Sequence, residues 1–468
     1  MAIEMTIKEH FKVTFTLAFP VMISQLGQVS VGVADSMMVG RLGALPLAAS
    51  SLANSIFFVI LMFGLGISMG ITPLVSIAEG KGKSKRISNL FGHSLWVNII
   101  TAIALTGVVL GLSRGLHFLG QPEEVVILTI PYLLVITASL FPFMIFQTFK
   151  QFAEGLSQTK QAMYITIVCN LVNVFLNWIL IWGMFGAPEL GLMGAGWATL
   201  ISRILMPIMM GYYILRSKRY SIYSLSLKLK KVSIPMVSRI LNIGIPTGFQ
   251  FIFEVSAFSA AAIMMGWIGV NALAGHQIAL NLASISYMMA AGLSTAGMIR
   301  VSNLIGRGDL KGMREAGMVV FGMVLIFMFS TALIFVIFRM FLPTLYIDDP
   351  EVVSMAASLL IIAALFQLSD GAQVAGLGVL RGMEDVKVPT LVTLFAYWVL
   401  GLPLGYFLAF ELGMAEKGIW YGLLVGLSIT AVLLFYRFHA LSKRRIEESL
   451  PVEAENSLSE VKSDSDSS

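Results

Sequence analysis

Apolar runs of about 20 residues or more recur along this chain, and each is long enough to cross a bilayer. Twelve can be counted, over 14–38, 47–77, 91–112, 125–149, 162–184, 192–215, 240–266, 273–299, 315–338, 352–380, 388–411 and 418–436. Backbone in lipid must satisfy its own hydrogen bonds, so each run is expected to be a helix. The expected fold class is all-α integral membrane, with twelve transmembrane helices. Charged residues make up only 12% of the chain, against about 25% in soluble domains. The first run is too long for a signal-peptide core and has no clear cleavage site, so it reads as a retained helix. One cysteine, Cys169, cannot form an internal disulfide and reads as a small buried hydrophobe.

The net charge is +5. The placement of the basic residues accounts for it without a nucleic-acid partner. Of the 31 Lys and Arg, 26 fall in the N-terminus, the even-to-odd loops and the tail; 4 fall in the other loops; Arg203 lies inside the sixth run. The positive-inside rule then puts both termini in the cytoplasm, and an odd number of spans would scramble the asymmetry. Residues 441–468 are polar, acidic and Ser-rich, which predicts a disordered cytoplasmic tail.

The chain repeats itself at an offset of 226 residues. "FPVMISQ" at Phe19 falls on "IPTGFQF" at Ile245, "GRLGALPLA" at Gly40 on "GWIGVNALA" at Gly266, and "VSIAEGKGKSK" at Val75 on "VSNLIGRGDLK" at Val301. The expected organisation is an N-lobe over 1–215, a basic linker over 216–239 and a C-lobe over 240–440. Six spans in each half give both the same orientation, related by a pseudo-two-fold axis along the membrane normal.

Three carboxylates sit well inside spans: Asp35, Glu254 and Asp370. Each costs roughly 2.5–3.5 kcal/mol at a helix centre, which marks it as a functional candidate. At the repeat offset Glu254 falls on Gln28, Asp370 on Met144 and Asp35 on Ala261. Gln28 and Asp35 are two helical turns apart and share a face. Asn170, Asn173 and Asn177 form one stripe of the fifth span. Such amides can ligate a small hard cation or join helices by hydrogen bonds. Thr199 and Arg203 lie a turn apart in the sixth span, and Arg203 could pair with an acid or reach a carbonyl. His276, Gln277 and Asn281 open the eighth. The 28 methionines either pack or line an adaptable cavity. "GKGKS" near Lys83 lacks the first glycine of a phosphate loop, and zinc-protease, nucleophile-elbow and CxxC patterns are absent from the sequence. No enzyme activity or cofactor is therefore expected, and an ion gradient is the expected energy source.

"FPVMISQLGQVSVGVADSMMVGRLGALPLAA", "IPTGFQFIFEVSAF", "LAGHQIALNLAS" and "FQLSDGAQVAGLGVLRG" resemble the multidrug and toxic compound extrusion family. Glu254 and the "GHQIALN" string point to its NorM-like branch. The resemblance covers roughly residues 10–440. It implies two six-helix bundles forming a V around a central cavity, and export of cationic or amphipathic drugs in exchange for Na⁺ or H⁺. By motif position it implies Glu254 and Asp370 as the C-lobe cation site. It implies Asp35 with Asn173, Asn177 and Thr199 as the N-lobe cation or proton site. Na⁺ could be held by Asp35, Asn173 and Asn177, or by Glu254 and Asp370. Gln28, Phe366, Arg203 and Gln277 are candidates for the substrate cavity. Where well-known NorM-like members carry a tyrosine, one turn before the tenth-span aspartate, this chain has Phe366, which offers no oxygen.

The resulting expectation is a cation-coupled multidrug antiporter, monomeric in a bacterial inner membrane. A flippase for a lipid-linked precursor is the alternative. It would more naturally need a cationic cavity, and Arg203 is the one basic residue the run boundaries place deep in a span. A non-transporting sensor or scaffold is the second rival, and three intramembrane acids argue against it.

Overall fold

The computed structural model describes residues 5–225 and 232–465, leaving aside the side chains of residues 119 and 450–465. Among these residues twelve helices are long and apolar enough to cross a membrane. They are α1 (Ile7–Gly40), α2 (Ala44–Gly80), α3 (Ser84–Arg114), α4 (Glu123–Gly155), α5 (Lys160–Trp182), α6 (Leu192–Arg216), α7 (Ile234–Ile268), α8 (Val270–Arg307), α9 (Leu310–Ile337), α10 (Pro350–Gly382), α11 (Lys387–Glu411) and α12 (Ala415–Ser465). The chain is an integral membrane protein; ten of the expected spans lie within these helices, while the fifth and ninth run past theirs by two residues and one.

Local chemistry sets the boundaries. Thr6 and Glu9 form a capping box at the start of α1, satisfying two of its free N–H groups. Gly43 (φ 115°) and Gly269 (φ 154°) start α2 and α8. A side chain is disfavoured at such angles, so both tight turns take glycine. These two glycines are 226 residues apart, as the repeat requires.

α1–α6 form one lobe and α7–α12 the other. α1 packs on α8, and α2 packs on α7. A Cβ on Gly66 of α2 would collide with the backbone of Gly248 in α7, and one on Gly292 of α8 would collide with Met22 of α1. These two contacts are the same contact at the repeat offset. Gly80 and Gly306, also 226 apart, meet each other: a Cβ on either would lie 3.0 Å from the Cα of its counterpart. A residue meets its own equivalent only beside a two-fold axis, so this pair marks the pseudo-two-fold between the lobes.

The offset grows by one residue further along. Ser76 donates to the carbonyl of Gly155 (2.7 Å), and Ser302 donates to that of Gly382 (2.9 Å). Gly155 and Gly382 are 227 apart. The N-lobe counterpart of Asp370 is therefore Phe143, not Met144, because one residue is added between these points in the C-lobe.

The glycine contacts all lie in the half of the molecule that holds the N-terminus. Polar ties join the lobes there too. Arg300 of α8 donates to the carbonyl of His10 (2.9 Å), and Asn303 donates to Glu79 (3.0 Å). Towards the other end the lobes part. No residue of α1 from Gln25 to Met38 is buried. A helix packed on one side and facing lipid on the other would bury some of them, so this stretch also borders a cleft.

The expected linker is reduced to a short helical turn, Lys218–Ser221, before α7; residues 226–231 lie outside the described ones. The expected tail boundary at 440 moves. α12 continues as helix past it, with Arg444 pairing with Glu448 (2.7 Å) one turn on. The side chains of the acidic stretch beyond lie outside the description.

Backbone-to-backbone contact cannot yield as a flexible side chain can, and overpacking typically costs about 1–3 kcal/mol. Gly66→Ala should lower the melting temperature of the purified protein. Gly107→Ala, where a Cβ meets nothing within 4 Å, should not; equal behaviour of the two would contradict the seam.

Candidate functional site

In the N-lobe, α1, α5 and α6 bring Asp35, Asn173, Asn177 and Thr199 into one network. Asn177 Nδ2 donates to Asp35 Oδ1 and to Asn173 Oδ1 (3.3 Å). Asn173 Nδ2 reaches Thr199 Oγ1 and Ser202 Oγ, each at 3.4 Å. Asn177 Oδ1 is buried and has no partner among the described residues. The helical spacing of the asparagines builds this: 173 and 177 are one turn apart on the buried face of α5. Asn170 stands apart, packed near Gly27 of α1, with its Nδ2 unpartnered among the described residues.

Arg203 does something other than line a cavity. Its guanidinium sits between the rings of Phe57 (5.1 Å) and Phe143 (4.9 Å) and donates to Ser139 Oγ (2.8 Å). Ser139 is where α4 breaks between two helical segments. Arg203 is thus a packing clamp inside the N-lobe.

In the C-lobe, Glu254 of α7 is tied to α10 at Gln373, three residues on from Asp370. Two amides hold Glu254. Gln373 Nε2 donates to Glu254 Oε1 at 2.9 Å, and Gln250 Nε2 donates to the same oxygen at 3.3 Å. Tyr397 Oη donates to Gln373 Oε1 (3.0 Å), and Arg381 Nη2 donates to Gln250 Oε1 (3.3 Å). Glu254 Oε2 and both Asp370 oxygens have no hydrogen-bond donor among the described residues.

Phe366 is not a cavity wall. It is 2% exposed and packs edge-on against Phe258 (6.1 Å) and Trp420 (5.5 Å) within the C-lobe core. A phenolic hydroxyl comes instead to the edge of the site from Tyr397, in a π-helical turn of α11 (Phe395–Gly401), where it bonds Gln373 rather than either acid. Gln28 is half-buried on α1 and Gln277 exposed on α8. His276 is fully buried against Trp420 (5.7 Å), both ring nitrogens unpartnered among the described residues. Arg203 is not alone in the spans: Arg300 and Arg381 are also buried. Both lie just past the hydropathic limits of their runs, which the helices α8 and α10 overrun.

Sequence reasoning missed Gln250, Gln373, Ser202, Tyr397 and Arg381. The spacings 250–254 and 370–373 put each glutamine on the face of an acid, so two of these were within reach. Nothing in the sequence ties Tyr397 to Gln373.

The model of the MatE family matches residues 20–179 and again 246–407. The two matches start 226 residues apart, as the lobes do.

The chain belongs to the MatE family.

It is a NorM-like member. This MatE chain is 35% identical over 441 residues to the "Probable multidrug resistance protein NorM" of Rhizobium meliloti (strain 1021), covering 93% of this chain and 94% of that one. It is 34% identical over 436 residues to the "Multidrug resistance protein MdtK" of Yersinia pseudotuberculosis serotype O:1b (strain IP 31758), covering 92% and 95%. The fold matches the eukaryotic MATE transporter AtDTX14 with a TM-score of 0.84, at 22% identity over 95% of this chain and 100% of that one. It matches a MATE in the bent conformation with a TM-score of 0.87, at 19% identity over 94% and 96%.

Arg203→Lys loses the planar stack and its fork, worth about 1–2 kcal/mol for a desolvated cation on aromatic faces. It should lower the melting temperature and leave the ethidium dissociation constant unchanged. A weakened ethidium affinity at unchanged stability would return Arg203 to the cavity.

Proposed function

We propose that this MatE protein is a secondary active multidrug antiporter of the bacterial inner membrane. It exports cationic or amphipathic compounds in exchange for Na⁺ or H⁺, with both termini in the cytoplasm. The observation that carries this reading is the pair Glu254 and Asp370. Two intramembrane carboxylates on packed helices, linked through Gln373, keep three oxygens without a donor among the described residues, in spans where an unanswered charge is costly. A cation is the natural answer to that charge. The names of the relatives support drug export, and the scarcity of enzyme motifs agrees with it. Na⁺ and H⁺ are transported species here, not resident cofactors.

The N-lobe offers a second cation site. Asp35, Asn173, Asn177 and Thr199 present several oxygens together, which suits Na⁺ better than a lone carboxylate does. Asn177 Oδ1, buried without a partner beside Asp35, supports that assignment. A bound cation or proton at either site changes the relative stability of the two cleft states only through differential affinity. Lobes related by a pseudo-two-fold can then rock about the seam.

Arg381 adds a buried positive charge that the sequence reading lacked, yet a flippase is not favoured by it. The guanidinium is already engaged with Gln250 beside Glu254, leaving the neighbourhood mixed in charge rather than cationic.

In vesicles, Glu254→Gln and Asp370→Asn should each abolish gradient-driven ethidium efflux while the protein stays inserted. Asp35→Asn should impair coupling at least as severely as Glu254→Gln when Na⁺ and H⁺ gradients are imposed separately. Wild-type coupling to both ions in Asp35→Asn, with loss in Glu254→Gln, would leave the C-lobe as the coupling site. For the orientation, Phe118 is 90% exposed in the turn between α3 and α4. Phe118→Cys should react with an impermeant thiol reagent on intact cells, and Ile222→Cys should not. Cys169 is buried and should stay silent. The reverse labelling pattern would invert the topology.

A further inference from the structure

We propose that Arg381 and Tyr397 are positioning residues of the Glu254 site. Each donates to the carbonyl end of one glutamine, so that Gln250 and Gln373 both turn their NH₂ groups onto Glu254 Oε1 and leave Oε2 to receive a cation. This rests on the reading of Glu254 as a cation ligand and adds what holds that ligand in its working geometry.

A glutamine side chain has an acceptor end and a donor end. Nothing in the amide itself decides which end meets a neighbouring carboxylate. An ionised carboxylate only accepts and so takes the NH₂ end, whereas a protonated one could meet either; here the far end favours the NH₂ end in both states. Arg381 can only donate, so Gln250 must offer it Oε1 and present Nε2 to Glu254. The Tyr397 hydroxyl can donate or accept; here it donates to Gln373 Oε1 (3.0 Å) and so supports, without dictating, the same orientation of the second amide. Both glutamines are buried, and both act on the same oxygen of Glu254. With Oε1 claimed twice, the carboxylate is fixed in rotation and its second oxygen is the one that remains to bind.

The two positioning groups are themselves held. Tyr397 is 1% exposed, its ring edge-on to Phe258 at 6.0 Å. The wider π-helical turn that carries it brings its hydroxyl to α10. Arg381 is 6% exposed. Its guanidinium lies over the Phe251 ring (5.8 Å) and touches Met69 Sδ of the N-lobe (3.7 Å). Its Nε has no partner among the described residues. A guanidinium buried for packing alone would have its donors met more fully. Neither Arg381 nor Tyr397 bonds Glu254 directly, so each acts through an amide.

Partners that orient a ligating group typically govern affinity by 10–100-fold. Ethidium is titrated into the purified full-length protein and followed by its fluorescence, and maximal efflux is measured in vesicles. Tyr397→Phe, which removes one oxygen and keeps the ring, should raise the ethidium dissociation constant about tenfold. The maximal rate at saturation should be preserved, since what is lost is uniform binding. Arg381→Met should do the same, and Arg381→Lys, which keeps a charged donor, should restore affinity in large part. Wild-type affinity in both Tyr397→Phe and Arg381→Met, or loss of rate without loss of affinity, would overturn the proposal. Glu254→Gln separates the two levels. If Glu254→Gln binds ethidium and couples efflux to Na⁺ and H⁺ gradients as the wild type does, the reading of the site fails and the positioning proposal falls with it. If Glu254→Gln loses binding and the other two do not, only the positioning proposal fails.

Discussion

A carboxylate inside a membrane span must be answered by polar neighbours, and both lobes are organised around that demand. In the N-lobe the answer comes from Asn177, which donates to Asp35 and is itself backed by Asn173, Thr199 and Ser202 on α5 and α6. In the C-lobe it comes from Gln250 and Gln373, converging on one oxygen of Glu254. The helices that carry these groups are fixed by ordinary apolar packing. The acids then determine where amides, hydroxyls and the buried Arg381 are concentrated. The rest of the polar inventory mostly bonds its own helix, as Thr137 and Ser330 do with carbonyls three or four residues back.

The fold was legible because lipid removes choices. Hydropathy and length alone locate twelve helices, and the repeat offset relates their halves. Glycine turns such as Gly43 and Gly269 keep the offset visible. The offset fails as a ruler where one residue is added, and there it paired Asp370 with Met144 rather than Phe143. An added residue in a less similar stretch leaves no mark that reading by eye can find.

The site was legible where chemistry and period coincide. Asp35 and the asparagine stripe stood out because acids and amides in spans are scarce; that Asn173, Asn177 and Thr199 gather at Asp35 was implied by the family resemblance, and hydrogen bonds do link them. Phe366 and Arg203 went the other way for the same reason in reverse. An aromatic ring and a guanidinium can serve a core as readily as a cleft, and only the neighbours decide. Phe258 and Trp420 enclose Phe366; Phe57 and Phe143 enclose Arg203. Arg300 and Arg381 were hidden by hydropathic limits that stop short of the helix ends. Tyr397 reaches Gln373 only because its helix widens into a π turn, a backbone feature with no clear sequence code.

The seam between the lobes has a consequence for how readily the molecule changes shape. Where Gly66 meets Gly248 and Gly80 meets Gly306, main chain lies on main chain. Lipid tails are as apolar as side chains, so separating such surfaces forfeits close van der Waals contact rather than hydrophobic burial. The cohesion is spread over a few short contacts and a few polar ties, and the two cleft states need differ only modestly in free energy. About 5.5 kcal/mol of differential binding suffices to invert a 99:1 population. A single ion meeting a carboxylate in a dry span can contribute on that scale, whereas a seam of interlocked leucines and phenylalanines would have demanded more. In the antiporter proposed above, glycine at the seam thus gives the exchange between cleft states a light spring.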